Sequence, residues 1–200
     1  MTRSGFLAVE RIVHRAALVG RVVDQRSQEP LAGVEVVVAS GPSAWTARLV
    51  AVHMGQPTAR PDRCVTDASG FFRYLDLPAG AYTLNATIAG TRYATAVTST
   101  TVGTGAPAAV TLALTPTAIT GTVKTSVAGN AALGMARVRF PDSGETTYTA
   151  ADGTFTLAPV EVGTNRALEL SAQNHATTTI PVTPTQGQTT AAAPVTLTHT

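Results

Sequence analysis

Four histidines, His14, His53, His175 and His199, and one cysteine, Cys64, are the side chains that could bind a transition metal or activate a nucleophile. None of the histidines has a second histidine or a carboxylate three or four residues on, the spacing that would set two ligands on one helical face. Neither His-Glu-x-x-His nor His-x-x-Glu occurs, so the sequence excludes the zinc peptidase motif. Cys64 paired with a distant histidine is the sharper reading of that residue. A small, inert residue at the start of a strand is the simpler one. A lone cysteine also rules out an internal disulfide, the usage of a reducing compartment.

The acids point to geometry rather than reactivity. Asp67, Asp76, Asp142 and Asp152 each begin or end a connection, where a carboxylate accepts backbone N–H groups. Calcium would need about six to eight oxygens from clustered acids, and no cluster exists. No pair of carboxylates can be nominated for glycoside hydrolysis, and no glycine loop cradles a phosphate. The expectation is no cofactor, no metal and no catalytic residue.

The elements that would have to position such groups follow from composition. Of 200 residues, 44% are hydrophobic, 13% charged and 5% aromatic, with 17 Gly and 12 Pro. This is enough apolar material for a core, and the abundance of Thr, Val and Ala favours short pleated strands over long helices. The net charge is +2. Ten basic residues face seven acids before residue 115, and four face five after it, so no basic field for nucleic acid arises. Glu10, Arg11, His14 and Arg15 interrupt the only apolar stretch near the start, Phe6 to Val13, before it reaches the length of a secretory core. No run reaches the roughly 20 apolar residues of a membrane span. A cytosolic chain is expected, or one that leaves the cytosol inside an assembled particle, with no membrane insertion.

Self-comparison shows the organisation: the pattern recurs after about 100 residues. Ala17-Leu18-Val19-Gly20-Arg21-Val22-Val23 matches Ala118-Ile119-Thr120-Gly121-Thr122-Val123-Lys124. Asp67-Ala68-Ser69-Gly70-Phe71-Phe72 matches Ala151-Asp152-Gly153-Thr154-Phe155, a turn re-entering a strand whose aromatic points inward. Val110-Thr111-Leu112 and Val195-Thr196-Leu197 close the two units. Between these landmarks the period is two. Tyr82, Leu84, Ala86 and Ile88 alternate with polar residues, as do Leu168, Leu170 and Ala172, and Ala136, Val138 and Phe140 face inward between Arg137 and Arg139. About seven such strands per unit predict an all-β chain of two tandem seven-stranded antiparallel sandwiches. The boundaries read as an arm over 1–16, a first sandwich over 17–115 and a second, divergent one over 117–200, with a short linker at Thr115-Pro116-Thr117.

Pro30-Leu31-Ala32-Gly33-Val34-Glu35-Val36, then Thr66 to Phe72, then Leu75, Pro78, Gly80, Tyr82 and Leu84 resemble the carboxypeptidase regulatory-like domain. The resemblance covers 17–115 strongly and 117–199 weakly, since the second unit lacks the Pro-Leu-Ala-Gly step and the Tyr. It implies a transthyretin-like sandwich and a non-catalytic appendage used for adhesion, carbohydrate contact or scaffolding. Related surface sandwiches can cross-link a first-strand Lys to a last-strand Asn. Lys124 stands in such a strand, but residues 194–199 contain no Asn, so no isopeptide is expected.

Two features stand outside the repeat. The span from Gly20 to Gly70 is much longer than that from Gly121 to Gly153, and most of the excess lies in residues 40–62. There Ser43 could cap a short helix with Trp45, Leu49 and Val52 on one face, ended by Gly55. That helix is either a lid over an open sandwich end or a contact element whose Trp45 and Leu49 anchor a partner. Residues 4 to 16 can likewise be drawn as a helix, with Phe6, Val9, Val13 and Ala16 on one stripe. With Arg3, Arg11 and Arg15 they form a modestly basic arm that packs on its own sandwich or docks on a neighbouring subunit. The expected function is a non-enzymatic structural or adaptor subunit whose partners are other protein subunits or further copies of itself. A phage tail or phage-tail-like contractile particle would fit. The alternative is a carbohydrate-binding or adhesion module using Trp45, Tyr74, Tyr82, Tyr93 and Tyr148, and nucleic acid is not expected as a partner.

Overall fold

Alternating apolar and polar residues can bury one face only if two sheets close on each other, and both halves of the chain do so. A computed structural model describes residues 14–56, 60–127 and 129–200. The first half contains β1 (Ala16–Asp24), β2 (Glu35–Ser40), α1 (Ser43–Gly55), β3 (Arg63–Val65), β4 (Phe71–Leu75), β5 (Gly80–Thr87), β6 (Ala96–Val102) and β7 (Ala108–Leu114). They pair as a three-stranded sheet β4-β1-β7 and a four-stranded sheet β3-β2-β5-β6. The second half contains β8 (Ala118–Thr125), β9 (Arg137–Arg139), β10 (Thr146–Tyr148), β11 (Thr154–Leu157), β12 (Arg166–Ser171), β13 (Thr178–Val182), β14 (Thr189–Ala191) and β15 (Val195–Leu197). Its sheets, β11-β8-β14 with β15 also on β8, and β10-β9-β12-β13, repeat the same plan. β14 and β15 pair with successive segments of β8, so they are one last strand interrupted before Pro194.

One pairing in each sandwich departs from the expected antiparallel order. β1 runs parallel to β7, and β8 runs parallel to β14 and β15. A parallel pair needs a long crossover, and here the rest of the sandwich supplies it.

The cores are separate. Leu18, Val36, Phe72, Tyr82, Leu84 and Leu112 belong to the first, and Ile119, Val138, Phe140, Phe155, Leu168 and Leu197 to the second. The inward positions read from the alternation at 82–86, 136–140 and 168–170 are all buried. The two opening glycines have a shared reason. A Cβ on Gly20 would intrude on the Phe72 ring and come within 2.7 Å of the Val110 carbonyl, and one on Gly121 would lie 2.7 Å from the Phe155 ring. Each turn aromatic therefore lies across a strand that only glycine lets it approach.

The repeat reaches further than the landmarks above. Thr66 Oγ1 accepts from Val34 N at 2.9 Å and donates to Leu31 O at 2.7 Å. Thr149 Oγ1 accepts from Ala136 N at 2.9 Å and donates to Leu133 O at 2.6 Å. Both hydroxyls satisfy buried backbone groups that the irregular step into the second strand of each sandwich leaves unpaired.

Asp62 carries the clearest pH dependence. Its carboxylate, 9% exposed, accepts from Arg60 Nε at 3.1 Å and Nη2 at 2.9 Å. Those bonds hold it below the usual carboxylate range, against an opposing effect of burial. A folded-state pKa below the unfolded one contributes stability at neutral pH that disappears as pH falls through the depressed value. Denaturant unfolding of Asp62→Asn is therefore expected to fall less steeply than wild type between neutral pH and acid. An unchanged acid limb would assign the loss to other groups.

The junction between sandwiches is hydrogen-bonded throughout. Thr117, fully buried, donates from its hydroxyl to Thr91 O at 3.1 Å and from its amide to Arg92 O at 2.7 Å, while Gly187 N donates to Thr117 Oγ1 at 2.9 Å. Gln186 Nε2 donates to Tyr93 O at 2.7 Å, and Arg92 pairs with Glu145 at 3.0 Å and Glu161 at 3.4 Å. Contacts from three separate segments of the second sandwich onto residues 91–94 give the two units a defined attachment rather than a free hinge.

Candidate protein-docking face

Strand β4 begins with two aromatics in succession, so the pleat must send one in and one out. Phe72 goes into the core and Phe71 stands 53% exposed. The preceding turn fixes this. Asp67 Oδ1 accepts from Ser69 N at 2.8 Å and Phe71 N at 3.0 Å, and Gly70 takes φ 73° where a side chain would meet Val22 O at 2.6 Å.

Around Phe71 the outward face of β4-β1-β7 is apolar with a cationic border. Val19, Cys64, Val65, Asp67, Phe71, Phe72 and Arg73 line an open cleft of about 530 Å³. A shallower depression of about 360 Å³ continues over Arg21 and Ala109. Val65 is 62% exposed. Arg21 lies over the Phe71 ring, its Cζ 5.6 Å from the centroid, and donates to Ser69 O at 3.3 Å. Among the described residues, neither Arg21 nor Arg73 reaches a carboxylate at ion-pair distance.

The second sandwich supplies an internal control. Register equates Val19 with Thr120, Arg21 with Thr122, Phe71 with Thr154 and Arg73 with Thr156. Four positions that are apolar or cationic on one copy of this face are threonine on the other. Stability of the sandwich does not require the Phe71 patch, since the fold closes without it.

The residues proposed from sequence lie elsewhere. Arg3, Phe6, Val9, Arg11 and Val13 fall outside the described residues. Arg15 is described, and it is held by its own sandwich: its amide donates to Asp76 Oδ1 at 2.8 Å and its guanidinium to Gly105 O at 2.8 Å. Ala16 opens β1 opposite Leu75 and His14 and Arg15 are not helical, so the helix drawn over residues 4 to 16 does not include 14–16; its remainder lies outside the described residues. Trp45 is 3% exposed and meets Tyr82 edge-on at 6.4 Å, with Leu49 packed on the same core. The lid reading of the insertion describes both residues, and the partner-anchor reading gives way because their apolar face is consumed internally. Ser43 is the first helical residue rather than the cap, which is Pro42 in extended conformation.

Two histidines distant in sequence meet: the rings of His175 and His199 are 5.2 Å apart, and His175 also contacts Thr125 Oγ1 and the Gln173 carbonyl. Among the described residues no three His, Cys, Asp or Glu side chains gather as a metal site. Cys64 lies within β3, and burial pushes its thiol up, away from the thiolate a nucleophile needs. Of the aromatics a sugar platform would use, Trp45, Tyr74, Tyr82 and Tyr93 are buried, and Tyr148 is 55% exposed. No helix among the described residues is long and apolar enough to cross a membrane.

A family model, the carboxypeptidase regulatory-like domain, matches residues 17–115. No curated protein matches the chain. Among solved structures, a chain of a type II cohesin–X-dockerin complex from Acetivibrio cellulolyticus is 15% identical, with 40% of this chain and 56% of that one covered and a TM-score of 0.35. The TIE protein of Bacillus anthracis is 13% identical over 92% of this chain and 34% of its own, with a TM-score of 0.42. A shaft pilin of Lactobacillus rhamnosus GG is 10% identical over 92% and 97%, with a TM-score of 0.40. This chain thus spans about half of the first of these and a third of the second.

Proposed function

Because residues 17–115 belong to the carboxypeptidase regulatory-like domain family, we propose that the chain is a non-enzymatic structural or adaptor subunit, its first sandwich docking a protein partner. The observation that carries this reading is the difference between the duplicated faces: Val19, Phe71 and Arg73 on one, Thr120, Thr154 and Thr156 on the other. A partner suited to the patch presents an apolar side chain to the cleft beside Phe71 and carboxylates to Arg21 and Arg73. The bonded junction at residues 91–94 and 117 supports a second role as a spacer holding the two sandwiches in one orientation. An assembly built in the cytosol, such as a phage tail or a phage-tail-like contractile particle, is one setting such a subunit would fit.

The test copies the second sandwich onto the first. The triple variant Val19→Thr, Phe71→Thr and Arg73→Thr is expected to keep its circular dichroism spectrum and lose the protein that co-purifies with wild type from its native cells. A partner retained at wild-type yield by the folded variant would contradict the proposal. Wild-type binding on a glycan array, lost with Tyr148→Ala, would instead favour the carbohydrate-binding alternative.

A further inference from the structure

Strand β6 lies at the edge of its sheet, paired with β5 over seven positions, and among the described residues no further strand pairs with its outer side. Its sequence, Ala96-Val97-Thr98-Ser99-Thr100-Thr101-Val102, has no charge, no Pro and no Gly. Several other edges are guarded, although β7 and β11 are uncharged edges as well. The counterpart of β6 in the second sandwich, β13, carries Pro181; β3 carries Arg63 and β4 carries Arg73; β10 has only three residues. Lysine, proline and shortness are the usual devices that prevent edge-to-edge pairing, and β6 has none of them. From Tyr93 to Val123 no Asp, Glu, Lys, Arg or His occurs, so β7, beside β6 on the same flank, is uncharged too.

We infer that β6 is a self-association edge at which a second copy of this chain adds its own β6 antiparallel, joining two four-stranded sheets into one. The strand is its own complement. In a pair symmetric about Ser99, Val97 falls opposite Thr101, Thr98 opposite Thr100 and Ala96 opposite Val102. Side chains that point outward in one copy (Val97, Ser99, Thr101) meet outward ones in the other, so the inner face continues across the twofold axis. Every facing pair is small or β-branched, and no like charges oppose. The uncharged β7 strands approach in the second layer under the same condition. Val97 is 63% exposed in the single chain and becomes a cross-strand contact in the pair.

The experiment is analytical ultracentrifugation of the full chain over a dilution series. Wild type is expected to show a concentration-dependent dimer. The double variants Val97→Lys/Thr101→Lys and Val97→Glu/Thr101→Glu, each placing like charges opposite at both ends of the pair, raise the dimer dissociation constant about tenfold or more. An equimolar mixture of the two restores the dimer, which also shows that both variants are folded. A wild type that stays monomeric throughout, or a dimer that neither double variant weakens, overturns the inference. These substitutions leave Val19, Phe71 and Arg73 in place, so loss of the dimer with retention of the native partner separates this inference from the docking reading.

Discussion

Gly20→Ala is expected to cost the first sandwich about 3 kcal/mol or more and to leave the second close to wild-type stability. The added Cβ would collide with the Phe72 ring and crowd the Val110 carbonyl, and both obstacles belong to strands paired directly with β1. Neither can yield without opening the sheet. Phe72 is 5% exposed with Tyr74 edge-on beside it at 6.2 Å, so displacing the ring disturbs packed core contacts. Hydrogen exchange read residue by residue should show lost protection in β1, β4 and β7 with β8, β11 and β12 retained. Gly121→Ala should give the mirror image. Equal loss in both sandwiches after either substitution would mean that the two cores fold as one unit.

Trp45→Ala is expected to destabilise the first sandwich by about 3–5 kcal/mol, the usual cost of removing a buried indole. Trp45 closes the end of the sandwich above Tyr82, whose own hydroxyl donates to Pro78 O at 2.8 Å, and Gly41 is pressed against both rings. Deleting the indole opens a cavity at the end of the core and unseats α1. Trp45→Phe should recover most of the loss by refilling it. A Trp45→Ala protein with wild-type unfolding behaviour and no partner association would return this residue to the docking role that its burial argues against.

The plan of the sandwiches was legible because it rests on local signals. Period-two alternation located Tyr82, Leu84 and Ala86, and the matched turns Asp67 to Gly70 and Asp152-Gly153 located the start of β4 and β11. The parallel pairing of first and last strands was not legible, since alternation reports which face a residue takes and nothing about the direction of its neighbour. The exposed face around Phe71 was missed for a related reason. Phe71 and Phe72 read together as one inward aromatic, although strand geometry requires consecutive residues to diverge and the aligned Thr154 shows which of the pair the core does not need. The single Trp drew attention because interfaces favour it, whereas its neighbours Gly41 and Tyr82 decide its burial through contacts distant in sequence.

The two sandwiches share a fold, and in the proposed function they differ in use, the first alone presenting a face to a partner. A photo-reactive phenylalanine analogue placed at position 71, and separately at the equivalent position 154, tests this in the native cell. A protein cross-link is expected from 71 and none from 154. Cross-linking from 154 alone, or from neither position, would contradict it.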